Sequence, residues 1–249
     1  MSTPPVPIAF LDRRRPAGPV HRSILAVDLE GSTQRTDLVK GEVRRVMYDL
    51  LAHSLEAVGI TGNRLERLID RGDGVLVLIR PHDQVPKTVL LGRLVPLLAT
   101  LLAEHNARTF QPALRLRLRV VIHAGEVHDD GRGFYGEAID VAIRLLDAPV
   151  VKRTLKQAAG PLVLVVSDEI YCKIVRHGYV PADAYLPLVR THVANRWQRG
   201  WVHIPAAAAA PAADLDRAQR ASGQRDNQPH PRFRSPANGH RRTVRSGHR

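Results

Sequence analysis

SILAVDLEGST, residues 23–33, sets a β-branched apolar run directly against an acidic, glycine-containing turn. The run SILAVDL (23–29) has the composition of a buried strand, and EGST supplies a turn whose Ser32 or Thr33 caps the next helix. Outward from it, residues 35–58 place Leu38, Val43, Val46, Leu50, Leu51, Leu55 and Val58 at helical spacing. NRLERLI (63–69) and GVLVLIR (74–80) flank Asp70-Arg71-Gly72-Asp73, and an Asp-Gly step between two apolar runs predicts a hairpin. Residues 84–106 read as a second long helix. LRLRLRVVIHAGEV (114–127) alternates Leu and Val with Arg, the pattern of a strand with one wet face. FYGEAIDVAIRLLDAP then carries Ala138, Val141, Ala142, Leu145 and Leu146 on one helical face. PLVLVVS (161–167) is a buried strand, DEIYCKIV a helix capped by Ser167 or Asp168, and 186–193 with 197–204 a closing antiparallel pair. Runs of strands and helices in this order predict an α+β fold: a ferredoxin-like α/β sandwich with a mixed, largely antiparallel sheet.

Composition bounds the function. Of 249 residues, 44% are hydrophobic and 24% charged, which excludes wholesale disorder. The formal net charge of +13 comes mostly from Arg, in the manner of a GC-rich genome, and is uneven along the chain. We expect a flexible Pro/Arg-rich arm over 1–22, a globular domain over 23–205, and a disordered basic Ala/Pro/Arg-rich tail over 206–249. A solvated tail is its plain reading, and attachment to nucleic acid through this tail is kept as a further, less favoured alternative. The single cysteine, Cys172, excludes an intrachain disulfide framework and a Cys-based zinc site. A cytoplasmic setting fits. The longest apolar stretch, 88–103, is broken by Arg93 and reads as an amphipathic helix, so no membrane segment is expected.

The chemistry gathers where the first strand ends. Asp28 precedes a turn whose backbone N–H groups suit phosphate. Asp73 sits at the tip of a hairpin expected to pair beside that strand. Two carboxylates over a phosphate-binding turn are what a pair of divalent ions needs. Taken singly, Asp73 equally fits a turn residue and Asp28 a strand-end residue bonding the next turn.

Four ordered segments, ILAVDLEGSTQ, RGDGVLVLI, LRVVIHAGEV and GFYGEAIDVAIRLL, resemble the class III adenylate/guanylate (nucleotidyl) cyclase homology domain, most closely its bacterial homodimeric branch. The resemblance covers roughly residues 22–176. It implies a nucleoside triphosphate as ligand, two Mg²⁺ or Mn²⁺ ions, attack of the 3′-hydroxyl on the α-phosphorus, and a head-to-tail homodimer or a heterodimer with another cyclase-like chain. By the resemblance Asp28 and Asp73 hold the metals with the Leu29 carbonyl, Gly31, Ser32 and Thr33 form the phosphate turn, and Arg144 meets the phosphate. Asp140 stands where the family has Asn; it accepts a hydrogen bond from a ribose hydroxyl but donates none. The base-reading positions are Ile69, in place of Lys, and Gly133, in place of a polar residue. Neither provides the buried polar group on which base discrimination rests, so the usual purines are not supported. Arg67 and Arg71 share a strand face with Ile69 and could reach a base, though solvent-facing arginines is the simpler reading.

Two readings follow. One is an active two-metal cyclase of altered base choice, resting on Asp28, Asp73 and Arg144. The other is a catalytically inactive regulatory module that binds a nucleotide or a protein, resting on Ile69, Gly133 and Asp140. His123, Glu126 and His128 do not converge on a strand, so His123 is read as structural. Trp197 and Trp201 are read as core or dimer-seam residues.

Overall fold

The computed structural model describes residues 18–206, so the expected tail and most of the expected arm lie outside the described residues. The first strand, β1 (Val20–Leu29), begins three residues before the expected domain boundary. It is followed by α1 (Asp37–Ala57), the hairpin β2 (Leu65–Asp70) and β3 (Gly74–Ile79), and the helix Lys87–Arg108. That helix comprises α2 (Lys87–Val89), a π-turn at Leu90–Leu94 and α3 (Val95–Arg108). Pro96 donates no backbone hydrogen bond, and the widened turn lies immediately before it. Then come β4 (Leu118–Asp129), β5 (Phe134–Tyr135), α4 (Glu137–Leu146) and α5 (Pro149–Gln157). β6 (Leu162–Ser167), α6 (Asp168–Lys173), β7 (Leu186–Val193) and β8 (Arg196–His203) close the described chain.

The described strands form one sheet in the order β2-β3-β1-β4-β6-β8-β7, with β5 paired to the last two residues of β4. Among the described residues only β4 and β6 pair in parallel. The fold is α+β with a mixed, largely antiparallel sheet, as the element pattern predicts. Strand periodicity splits the core in two. Leu25, Val27 and Leu29 face the layer of α1 and α3, where Val43, Met47, Leu51, Leu94 and Leu98 are buried. Ile24 and Ala26 face α4 and α5 and meet Ala142, Leu145, Val151 and Leu155. A sheet covered on both faces explains why its central strands read as unbroken apolar runs. Lys87–Arg108 is long and apolar enough to cross a membrane, but Leu90, Leu91, Leu94, Leu98 and Leu102 are its buried contribution to this core.

Two local expectations are corrected. The 114–127 strand begins at Leu118, after a 3₁₀ turn at Pro112–Leu114, and has no wet face at its centre. It lies between β1 and β6, so Arg119 is buried rather than solvated. Neither Ser32 nor Thr33 caps α1: they belong to a 3₁₀ turn (Ser32–Gln34), and α1 starts after Thr36 without a side-chain cap. The left-handed residue of the β2–β3 hairpin is Gly72 (φ 82°). Gly74 already lies on β3, where a Cβ would come 2.5 Å from the Val27 carbonyl oxygen. One glycine serves the turn, the other the close approach of two backbones.

Candidate active site

β1 and β3 pair so that Asp28 stands opposite Gly74, and the Leu29 N–H donates to the Asp73 carbonyl at 3.0 Å. That register carries the hairpin tip to the end of β1. Asp28 and Asp73 thereby line a single cavity of 190 Å³, together with Arg71, Arg119, Asp147 and Lys152. Arg119, directly across from Asp28 on β4, donates from Nη2 to Asp28 Oδ2. Burial pushes the Asp28 carboxyl up to about 6; Arg119 opposes this, while the charges of Asp73 and Asp147 push it further up. Both of these carboxylates are therefore close enough to act on the Asp28 charge.

A second cavity, 530 Å³, opens over the turn. Gly31 and Gln34 line it; Ser32 is buried inside the turn and Thr33 is exposed outside the cavity. Its remaining walls are Glu30, Arg35, Arg119, Lys152 and Lys156. The Arg35 guanidinium donates to the carbonyls of Glu30 at 2.8 Å, Ala113 at 3.2 Å and Arg115 at 3.0 Å, which fixes the turn's shape. Sequence reasoning missed Arg119, Asp147, Lys152, Lys156 and Gln34. The signal for Arg119 was its register opposite Asp28; for the lysines it was their spacing of four on a helix not anticipated.

Asp140 and Arg144 do not join the carboxylates. They are exposed on α4 and line a separate cavity of 550 Å³ with Ile139, Ile143, His192 and Arg71. Arg71 borders both cavities, whereas Arg67 is merely exposed. Ile69 is half-buried against the α4 side of the core. Gly133 sits in the β4–β5 turn, its N–H donating to Asp130 Oδ1 at 2.9 Å. His123 is buried with Nδ1 2.7 Å from Ser167 Oγ, and burial holds it neutral, its pKa brought down to about 4. Ser167 also caps α6 by accepting from the Ile170 N–H at 3.4 Å. Trp201 packs on Tyr171 and donates to Asp168 Oδ1 at 3.1 Å, but Trp197 is exposed beside His192 and Arg190 and is not a core residue.

Among the described residues no three His, Cys, Asp or Glu side chains form a self-sufficient cation cage. Two carboxylates facing one cavity next to a basic cavity are a different donor set. They suit a hard divalent ion that completes its shell with substrate phosphate and water, which is how Mg²⁺ is usually held. The mutual repulsion at Asp28 is what such a cation would relieve.

This fold is that of nucleotidyl cyclase catalytic domains. An adenylate/guanylate cyclase/hydrolase from Silicibacter pomeroyi superposes with TM-score 0.53 at 18% identity, over 76% of this chain and 98% of that one. The guanylyl cyclase Cya2 gives TM-score 0.51 at 16% identity, over 78% and 98%. A bacterial light-regulated adenylyl cyclase gives 0.51 at 12% identity, over 83% and 100%. No family model and no curated protein matches the sequence.

Proposed function

We propose that this nucleotidyl cyclase-like domain binds a nucleoside triphosphate with Mg²⁺ or Mn²⁺ and, in a dimer, converts it to a cyclic nucleotide and pyrophosphate. The observation that carries the reading is the shared cavity of Asp28 and Asp73, set beside the basic cavity over the Gly31–Gln34 turn. Asp28, Asp73 and the Leu29 carbonyl would hold the ions. When bound, these supply charge neutralisation at the phosphates and activation of the 3′-hydroxyl. The turn and Arg119 position the triphosphate. Arg144 and Asp140 open onto a different cavity. They therefore act on the site of a second chain, Arg144 meeting the developing phosphate charge and Asp140 accepting from the ribose. The half-buried Ile69 and the side-chain-free Gly133 offer no base-specific hydrogen bond, which disfavours the usual purine selection.

The test is pyrophosphate release from each of the four NTPs with Mn²⁺ or Mg²⁺, the cyclic product resolved by mass. Mixing Asp28→Asn protein with Arg144→Ala protein is expected to restore about one quarter of wild-type turnover, because half of randomly paired dimers keep one intact site of two. The inactive regulatory module remains a second reading, favoured by the Arg119 guanidinium on Asp28 and by an acid in the Asp140 position. Metal-dependent NTP binding without product from any NTP would select it.

A pH dependence follows from Asp28. Only its ionised form ligates a cation, so protons compete with the metal as pH falls through about 6. Metal-dependent NTP affinity, measured by titration calorimetry, should drop about tenfold per pH unit at most below that point. Asp28→Asn protein should lack this dependence.

A further inference from the structure

Helix α5 has an unassigned role. Val151 and Leu155 are fully buried and fix one face in the core, and Arg117 donates to the carbonyls of Leu155 and Ala158, at 3.1 Å for the latter, pinning the C-terminal end. Lys152 and Lys156, four residues apart, then stand together on the helix surface. Both line the 530 Å³ cavity over the Gly31–Gln34 turn, and Lys152 also reaches the carboxylate cavity.

The charges in that cavity are not used up by the fold. Arg35 is committed to three carbonyls, and the one acid, Glu30, pairs with Arg117 at 3.0 Å. Lys152 has a loose contact with Asp147 at 3.7 Å, and Lys156 has no ion-pair partner among the described residues. Arg119 is buried, yet its Nε has no hydrogen-bond partner among the described residues. Two lysines with no close acidic partner, and an Arg119 whose charge is paired with Asp28 but whose Nε has no hydrogen-bond partner among the described residues, thus face a cavity beside Asp28 and Asp73. A polyphosphate fits that balance. Lysines, as mobile point charges with three donors each, suit its terminal phosphates.

We propose that α5 is a polyphosphate clamp working within its own protomer, with Lys152 and Lys156 binding the terminal phosphates of the nucleotide held over Asp28 and Asp73. The nucleotide part of this statement rests on the function proposed above. Lys152 and Lys156 are positioning residues here: they set triphosphate affinity and the preference for triphosphate over monophosphate.

The experiment is calorimetric titration of the full chain, with Mg²⁺, by inorganic tripolyphosphate, by the four NTPs and by the corresponding monophosphates. For Lys152→Ala/Lys156→Ala protein we expect tripolyphosphate and NTP affinity to fall about 20-fold or more, two charge-assisted contacts being lost. Monophosphate affinity should stay within about twofold, because those contacts lie beyond the first phosphate. The Lys152→Arg/Lys156→Arg protein should recover binding, and Arg153→Ala, on the same helix but lining neither cavity, should change nothing. Circular dichroism and thermal melting check that the variants fold, and the Arg pair tests the charge even if the Ala pair does not. Equal tripolyphosphate and NTP binding by wild-type and Ala-pair protein overturns the clamp and leaves the function standing. Lysine-dependent tripolyphosphate binding without any NTP binding supports the clamp and overturns the nucleotide reading. Absence of both overturns both.

Discussion

Asn in place of Asp28 is expected to lower metal-dependent pyrophosphate release by about 100-fold or more, the scale on which losing one transition-state charge group acts. The amide keeps the shape and still accepts a hydrogen bond from Arg119, so the buried guanidinium is not left alone. What disappears is the anion that faces Asp73 and Asp147 across the 190 Å³ cavity. Stability should move the other way. Because burial raises this carboxyl from 3.8 to about 6, the folded chain takes up its proton more readily than the unfolded one between those values. Its contribution to stability therefore falls as pH climbs through that window, and the penalty is fully present above it. Asp28→Asn protein should melt no lower than wild type at pH 7.5, and its melting temperature should lose that component of pH dependence. An Asp28→Asn protein that turns over NTP at the wild-type rate would remove Asp28 from the chemistry.

Gly74→Ala should be the most damaging single-methyl change at this end of the sheet. The added Cβ would meet the Val27 carbonyl oxygen at 2.5 Å and the Asp28 Cα at 3.4 Å, both backbone atoms of a central strand. Neither yields as a side chain does, so β3 must move away from β1. We expect a loss of about 3 kcal/mol, at the upper end for overpacking, seen as a midpoint shift of about 6–12 °C in thermal melting. The shift also displaces the Leu29–Asp73 backbone bond, so NTP binding should weaken with stability. Gly72→Ala, strained only through its left-handed backbone at φ 82° with no atom within 4 Å, should cost less, about 1 kcal/mol. Comparable melting of the two variants would count against the close-approach argument.

The central strands were legible because burial on both faces leaves an unmistakable apolar run in SILAVDL, GVLVLIR and PLVLVVS. α4 was legible because one of its faces alone is buried. The fold class followed from their order. What escaped was set by tertiary neighbours. Alternating Arg in LRLRLR reads as a wet face until β4 is known to lie mid-sheet, with Arg119 opposite an acid. α5 is short, opens on Pro149 and buries two side chains fully, Val151 and Leu155, so its periodicity is too sparse to stand out. At the site, the pairing of the hairpin beside the first strand brings Asp28 and Asp73 to one cavity. Nothing in residue spacing separates Asp140 and Arg144 from them; they line a cavity of their own on α4. The basic wall over the turn depends on where α5 docks, which no local pattern encodes.

The placement of Arg144 and Asp140 on a wall of their own has a kinetic consequence. On the two-chain function proposed above, a lone copy holds two half-equipped compartments, and output depends on encounter between copies. Well below the dimer dissociation constant, turnover per volume should rise with the square of protein concentration and become linear only once pairing saturates. Crowding copies together, by tethering or by abundance, would then act as a switch without any effector molecule.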